Sequence, residues 1–181
     1  MTHIFKYLRG TADASLVLGR IDQHCNLVGY TDADWGANDA SRRSTSGYLF
    51  KLGRGSKSSK RQQTVALSTE AEYLALTRAT KEGLWLQRLL GNIEGRTRGG
   101  VDIRVDNQGC IAMARNPEGR ERSKHIDIQA HFVRQHVGTQ RITLSYCPTE
   151  EMEADFLTKC LPRPKHVWCT EAAGINLTTM E

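Results

Sequence analysis

LVGYTDADWG, residues 27–36, is the stretch on which the reading of this chain turns. Leu27 to Thr31 are rich in apolar, β-branched and aromatic residues and read as a strand. Asp32 stands at the end of that strand, and Trp35 to Ser44 follow as a polar loop with Gly36, Asn38 and Asp39. Ser46 to Leu52 (SGYLFKL) read as a second strand, Gly53 to Ser59 as a basic turn, and Thr64 to Leu67 as a short third strand. Three strands with short connections predict an antiparallel meander.

Downstream the period changes. Thr69 to Leu90 lack proline and are rich in Ala, Leu and Glu. Polar residues at Thr77/Arg78, Lys81/Glu82 and Gln87/Arg88 mark one solvated stripe on a long, mostly buried helix, and Thr69 with Glu72 fits a capping box. After a Gly- and Arg-rich loop (Gly95 to Gly100), Val101 to Val105 read as a strand and Gln108 to Arg115 as a short helix. A basic loop (116–124), a helix from Ile126 to Val137, a strand from Arg141 to Tyr146 and a helix from Glu150 to Lys159 complete the pattern. The tail after about residue 165 carries weak signals. This order predicts an α/β fold: a mixed five-stranded sheet with helices on both faces.

Four acidic residues fall where one end of such a sheet gathers its ligands. Asp32 ends the first strand, Glu70 opens the long helix, Asp106 ends the fourth strand, and Asp155 lies in the last helix. Each also has an ordinary structural reading. Asp32 suits a turn, Glu70 a helix N-terminus, Asp106 an N-cap, and Asp155 a solvated helix face. Their joint occurrence at matched positions favours a shared site. Four carboxylates at one edge repel one another unless a cation neutralises them, and hard oxygen ligands select Mg²⁺ or Mn²⁺. Asp34, Glu72 and Glu153 neighbour these acids as weaker candidates; capping accounts better for Glu72.

Composition bounds the alternatives. The 181 residues carry 25 Lys+Arg against 20 Asp+Glu, a net charge of +5, and 39% hydrophobic residues, enough for a real core. The basic balance favours a polyanionic partner. No apolar run approaches the roughly 18 to 20 residues of a membrane span, and the first ten residues lack a signal-peptide core. Five widely spaced cysteines show no metal-binding pattern, which fits free, mostly structural thiols in a reducing compartment.

The motifs carry a resemblance. GYTDADWG (29–36), RRSTSGYLFKLG (42–53), QTVALSTEAEYLAL (63–76), LWLQRLL (84–90), VDNQGCIAMARNP (105–117), SKHIDIQAHFVR (123–134) and YCPTEEMEADFLTKCLPRPK (146–165) occur in order. Together they resemble the ribonuclease H domain of a copia-type (Pseudoviridae) LTR-retrotransposon Pol polyprotein. The resemblance covers about residues 27–167. It implies residues 1–26 as a connecting segment from an upstream reverse transcriptase, 27–167 as the ribonuclease H domain, and 168–181 as a tail.

The same resemblance implies a ribonuclease H-like sheet of strand order 3-2-1-4-5, three strands antiparallel and then two parallel. It implies hydrolysis of the RNA strand of RNA–DNA hybrids, giving 5′-phosphate and 3′-hydroxyl ends. Two Mg²⁺ ions, with Mn²⁺ as a substitute, are implied on Asp32, Glu70, Asp106 and Asp155. Asp32 would bridge both ions, Asp155 would help hold the one that activates water, and Glu70 and Asp106 would hold the other. Arg42, Arg43, Lys57, Lys60, Arg61, Lys124 and His125 are expected to contact nucleic acid. Two departures stand out. The loop Cys147–Glu150 lacks the histidine that many cellular relatives carry before the last helix, and residues 55–60 lack a common Ile-Ser-Trp element, which predicts a trimmed hairpin. The competing reading is a binding or interaction module of the same fold, repurposed or dependent on its polymerase.

Overall fold

The computed structural model describes residues 2–17, 26–34, 44–53, 55–63, 68–116 and 124–176. Five strands make the main sheet: β1 (Leu27–Asp34), β2 (Ser44–Leu52), β3 (Gly55–Gln63), β4 (Val101–Val105) and β5 (Ile142–Tyr146). Their spatial order is β3-β2-β1-β4-β5. The first three are antiparallel, while β4 lies parallel to both β1 and β5. The expected 3-2-1-4-5 mixed sheet is therefore present.

β1 is central and buried on both faces, as a strand covered by helices must be. Leu27 joins Phe50, Ile103 and Val105 in a core shared with α2 (Ser68–Glu94), α3 (Gln108–Arg115) and α4 (Lys124–Gly138). Val28 and Tyr30 face a second core with Leu49, Met152, Ala154 and Ala173. This second core is roofed by two 3₁₀ turns, Thr149–Glu151 and Glu153–Leu157, and by α5 (Arg163–Ala172). An N-terminal helix α1 (Thr2–Gly10) precedes the two-residue strand Ser15–Leu16, which pairs with Ile175–Asn176 after α5.

Several local expectations need correction. The segment 64–67, expected as the third strand, lies outside the described residues, and the strand that pairs with β2 precedes it. That strand is Gly55–Gln63, most of which reads as a basic turn. Nor is the hairpin trimmed: nine pairs run from Ser44↔Gln63 to Leu52↔Gly55. Only two residues remain for the turn, and Gly53 supplies its left-handed backbone, with φ of 60°. Pairing along β2 overrides the weak strand propensity of a Ser- and Lys-rich sequence.

The expected helix from Glu150 to Lys159 is instead the two 3₁₀ turns, because Met152 between them is extended and buried in the second core. The tail after 165 is more ordered than its sequence signals, since α5 seals that core with Cys169 and Ala173. No described helix is long and apolar enough to cross a membrane.

Candidate active site

β1 and β4 run parallel, so Asp32 near the end of β1 and Asp106 just after β4 reach the same end of the sheet. α2 starts at that end and brings Glu72 between them. Carboxylate oxygens of Asp32, Glu72 and Asp106 all lie within 4.8 Å of one another. Asp106 is free for this role because Asn107, not Asp106, caps α3, accepting from the Cys110 amide at 2.9 Å.

The acid that α2 contributes is the main difference from the sequence reading, which chose Glu70. Glu70 is half-buried and does not belong to the converging group. Successive helical residues turn by about 100°, so positions two apart point roughly opposite ways. Glu70 lies eight and eleven residues before Arg78 and Lys81 and continues their partly exposed face of the helix. Glu72 heads the buried row Ala75, Leu76 and Ala79, at the i, i+3, i+4, i+7 spacing of one helix face. The signal was therefore in the sequence. With α2 starting at Ser68, Glu72 also lies too far inside the helix for the capping box that explained it away.

Asp155 reaches the site from the other side. It is buried in the second 3₁₀ turn, and Lys159 joins it to Asp32: the ammonium lies 2.9 Å from Asp32 Oδ1 and 2.9 Å from Asp155 Oδ1. The Thr158 hydroxyl donates to Asp32 Oδ2. On its far side Asp155 Oδ2 lies 3.9 Å from Lys165 Nζ. Glu153 is engaged elsewhere, bidentate with Lys51 at 3.0 and 2.9 Å. Asp34, on the same face of β1 as Asp32 by strand alternation, is outside the converging group.

The electrostatics are those of crowded, desolvated acids. Burial pushes the Glu72 carboxyl up to about 9, with the negative charges of Asp32 and Asp106 adding to it. Burial and Asp32 raise Asp106, and burial raises Asp155. Burial alone would lower the Lys159 ammonium, but Asp32 and Asp155 outweigh it and hold the lysine above its ordinary range. Glu72 Oε2 and Asp106 Oδ1 are buried without any hydrogen-bond partner. Buried carboxylate oxygens are normally satisfied, so two unpartnered ones on acids of the same cluster fit a cation-binding site.

The expected nucleic-acid contacts are placed only in part. Arg42 and Arg43 lie outside the described residues. Lys57, Lys60 and Arg61 fall on β3, in register with Phe50, Gly47 and Ser46, while Lys124 and His125 open α4. Their side chains lie outside the described residues.

Over 176 residues, 96% of its length, the chain is 40% identical to the retrovirus-related Pol polyprotein of transposon TNT 1-94 from Nicotiana tabacum. It is 35% identical over 166 residues to that of transposon RE1 from Arabidopsis thaliana. The chain belongs with the Pol polyproteins of retrovirus-related transposons. It spans 13% of the tobacco Pol polyprotein and 11% of the Arabidopsis one. A second kind of relative, the secreted RxLR effector protein 161 of Plasmopara viticola, is 52% identical over 89 residues, 48% of this chain and 62% of that protein. No family model matches.

Solved structures agree on the fold of this Pol segment. LC11-RNase H1, isolated from compost, matches with a TM-score of 0.56 at 18% identity, over 74% of this chain and 92% of that one. The same enzyme in complex with an RNA/DNA hybrid matches with a TM-score of 0.54 at 17% identity, over 74% and 94%. The Pol segment thus has the ribonuclease H fold.

Proposed function

We propose that this chain hydrolyses the RNA strand of RNA–DNA hybrids, endonucleolytically and with divalent metal ions, leaving 5′-phosphate and 3′-hydroxyl ends. The observation that carries this reading is the convergence of Asp32, Glu72 and Asp106 at one end of a ribonuclease H-type sheet, with two buried oxygens left unpartnered. The family adds a setting, reverse transcription by a retrotransposon whose Pol polyprotein also carries the polymerase.

Asp32, Glu72 and Asp106 are the proposed ligands, with Asp155 completing the set from the opposite side and Glu72 standing in place of Glu70. Two bound Mg²⁺ ions, replaceable by Mn²⁺, would supply charge neutralisation of the scissile phosphate and activation of the attacking water. The protein's own part is to hold four acids in a fixed, desolvated array. Thr158 fixes one Asp32 oxygen, and the walls of the two cores exclude water behind it. The loop 147–150 has no histidine, so no imidazole there carries a proton to the leaving oxygen. Arg42, Arg43, Lys57, Lys60, Arg61, Lys124 and His125 are proposed to neutralise hybrid phosphates.

Cleavage of a labelled hybrid tests the reading, run with Mg²⁺, Mn²⁺ or EDTA beside RNA and DNA duplexes and the Asp32→Asn variant. Metal-dependent loss of the RNA strand from the hybrid alone, absent in the variant, is the expected result. Retained cleavage by Asp32→Asn refutes the site. A second reading, a repurposed binding module, draws on the effector relative. It expects hybrid binding by a folded protein without cleavage.

A further inference from the structure

We propose that Lys159 is the resident counter-cation of this carboxylate site, and that a divalent ion binds by exchange with its ammonium. The inference rests on the metal-site reading above. Its starting point is a division within the acids. Glu72 Oε2 and Asp106 Oδ1 have no partner. The two Asp32 oxygens are both taken, Oδ1 by Lys159 at 2.9 Å and Oδ2 by Thr158. Asp155 Oδ1 receives the same ammonium at 2.9 Å. One half of the site is therefore open, and the other is already filled by a positive charge.

That charge and a metal ion cannot share the place. Mg²⁺ takes carboxylate oxygens at about 2.0–2.1 Å and tolerates little distortion, so an ion on Asp32 Oδ1 and Asp155 Oδ1 would occupy the volume where the ammonium sits. Two cations there would also repel each other in a poorly solvated setting. Lys159 is built to leave. Its side chain is 32% exposed, whereas those of Asp32 and Asp155 are 0% and 3% exposed. It follows Thr158, the residue that closes the second 3₁₀ turn, on a flexible four-carbon stem. Rotation of the side chain alone frees both acids. Asp155 keeps Lys165 nearby at 3.9 Å when Lys159 departs. In the metal-free protein Lys159 thus offsets the repulsion of the buried acids, and in the loaded protein it is released to solvent at the mouth of the site.

The test uses the full chain without nucleic acid. Mn²⁺ is titrated by calorimetry into the wild type, Lys159→Gln and Lys159→Arg. Removing the competing ammonium is expected to tighten Mn²⁺ binding about tenfold in Lys159→Gln, while Lys159→Arg, which keeps the charge, stays within about twofold of the wild type. In parallel, reductive methylation of wild-type lysines is followed by mass spectrometry with and without Mn²⁺. Lys159 is expected to react several-fold faster with Mn²⁺ present, and Lys51, held by Glu153, to react at an unchanged rate. Equal affinity in the wild type and a folded Lys159→Gln overturns the exchange, as does Lys159 labelling indifferent to saturating Mn²⁺. If Lys159→Gln does not fold, the wild-type labelling decides alone. No Mn²⁺ binding by any of the three overturns the metal-site reading itself, and the exchange with it.

Discussion

Gly47 pairs with Asp32 across the β1–β2 ladder, and the missing side chain at Gly47 is what lets the segment carrying Asp155 close over Asp32. A Cβ at Gly47 would lie 2.8 Å from Leu157 Cβ and 2.9 Å from Thr158 Cγ2. Neither atom is the free end of a flexible chain. Gly47→Ala is expected to push the 3₁₀ segment off the sheet, costing about 1–3 kcal/mol of stability. Because Thr158 and Lys159 ride on that segment, hybrid cleavage is expected to fall about 10²-fold, as small misplacements of reacting groups do. Denaturant melts and hybrid cleavage read the two effects, and a Gly47→Ala protein with unchanged activity would show that the contact does not set the site.

Glu70 and Glu72 provide the sharpest assay of the geometry. Glu72→Gln is expected to lower cleavage by about 10³-fold, the scale seen when a preorganised electrostatic group is removed. Glu70→Gln should retain cleavage within about threefold, since its position is on the partly exposed face of α2. The opposite ranking, in proteins with equal melting temperatures, would return the assignment to Glu70.

The raised Glu72 carboxyl makes metal-free stability depend on pH. Its folded value of about 9 lies above the ordinary 4.5, so the folded state holds this proton more tightly than the unfolded state does. The associated stability is complete below about pH 4.5 and is lost as pH rises toward 9. In EDTA, the melting temperature should therefore fall between pH 6 and pH 9, and Glu72→Gln should flatten that fall. At pH 9 the variant should melt about 2–4 °C above the wild type, equivalent to about 1 kcal/mol in a chain of this size. Mg²⁺ should raise the wild-type melting temperature more at pH 9 than at pH 6. Parallel pH profiles for the two proteins would exclude Glu72 as the source.

Lys51 and Glu153 form a pair 102 residues apart in sequence, tying β2 to the second 3₁₀ turn with a separation of 2.9 Å. The Glu153 side chain is only 10% exposed. Lys51→Met leaves that nearly buried carboxylate without its ammonium, with the Tyr30 hydroxyl as its remaining partner, at an expected cost of about 1–3 kcal/mol. The double variant Lys51→Met/Glu153→Met should recover part of the loss. Chemical denaturation of the single and double variants measures both.

Much of this was legible in the chain. The apolar, β-branched and aromatic start of β1, the switch to helical period after Thr69 and the strand signals of β4 and β5 follow from local side-chain chemistry. The positions of Asp32 and Asp106 follow too, because a parallel β1–β4 pair must bring both strand ends to one edge. The row that Glu72 shares with Ala75, Leu76 and Ala79 is legible as well, because helix phase alone sets it. β3 was less legible: Gly55–Gln63 has little strand propensity of its own and is held by its ladder to β2.

By itself, then, the sequence determined the order and type of most elements, the mixed sheet they build and the placing of Asp32 and Asp106 at one end of it, since each depends on periodicity and on neighbours close along the chain. Only the tertiary structure decided that Glu72 rather than Glu70 meets Asp32 and Asp106, that Asp155 rides on 3₁₀ turns, and that Lys159 bridges Asp32 and Asp155. Those outcomes depend on residues far apart in the chain, 40 positions for Asp32 with Glu72 and 126 for Asp32 with Thr158, where burial and close packing override local propensity.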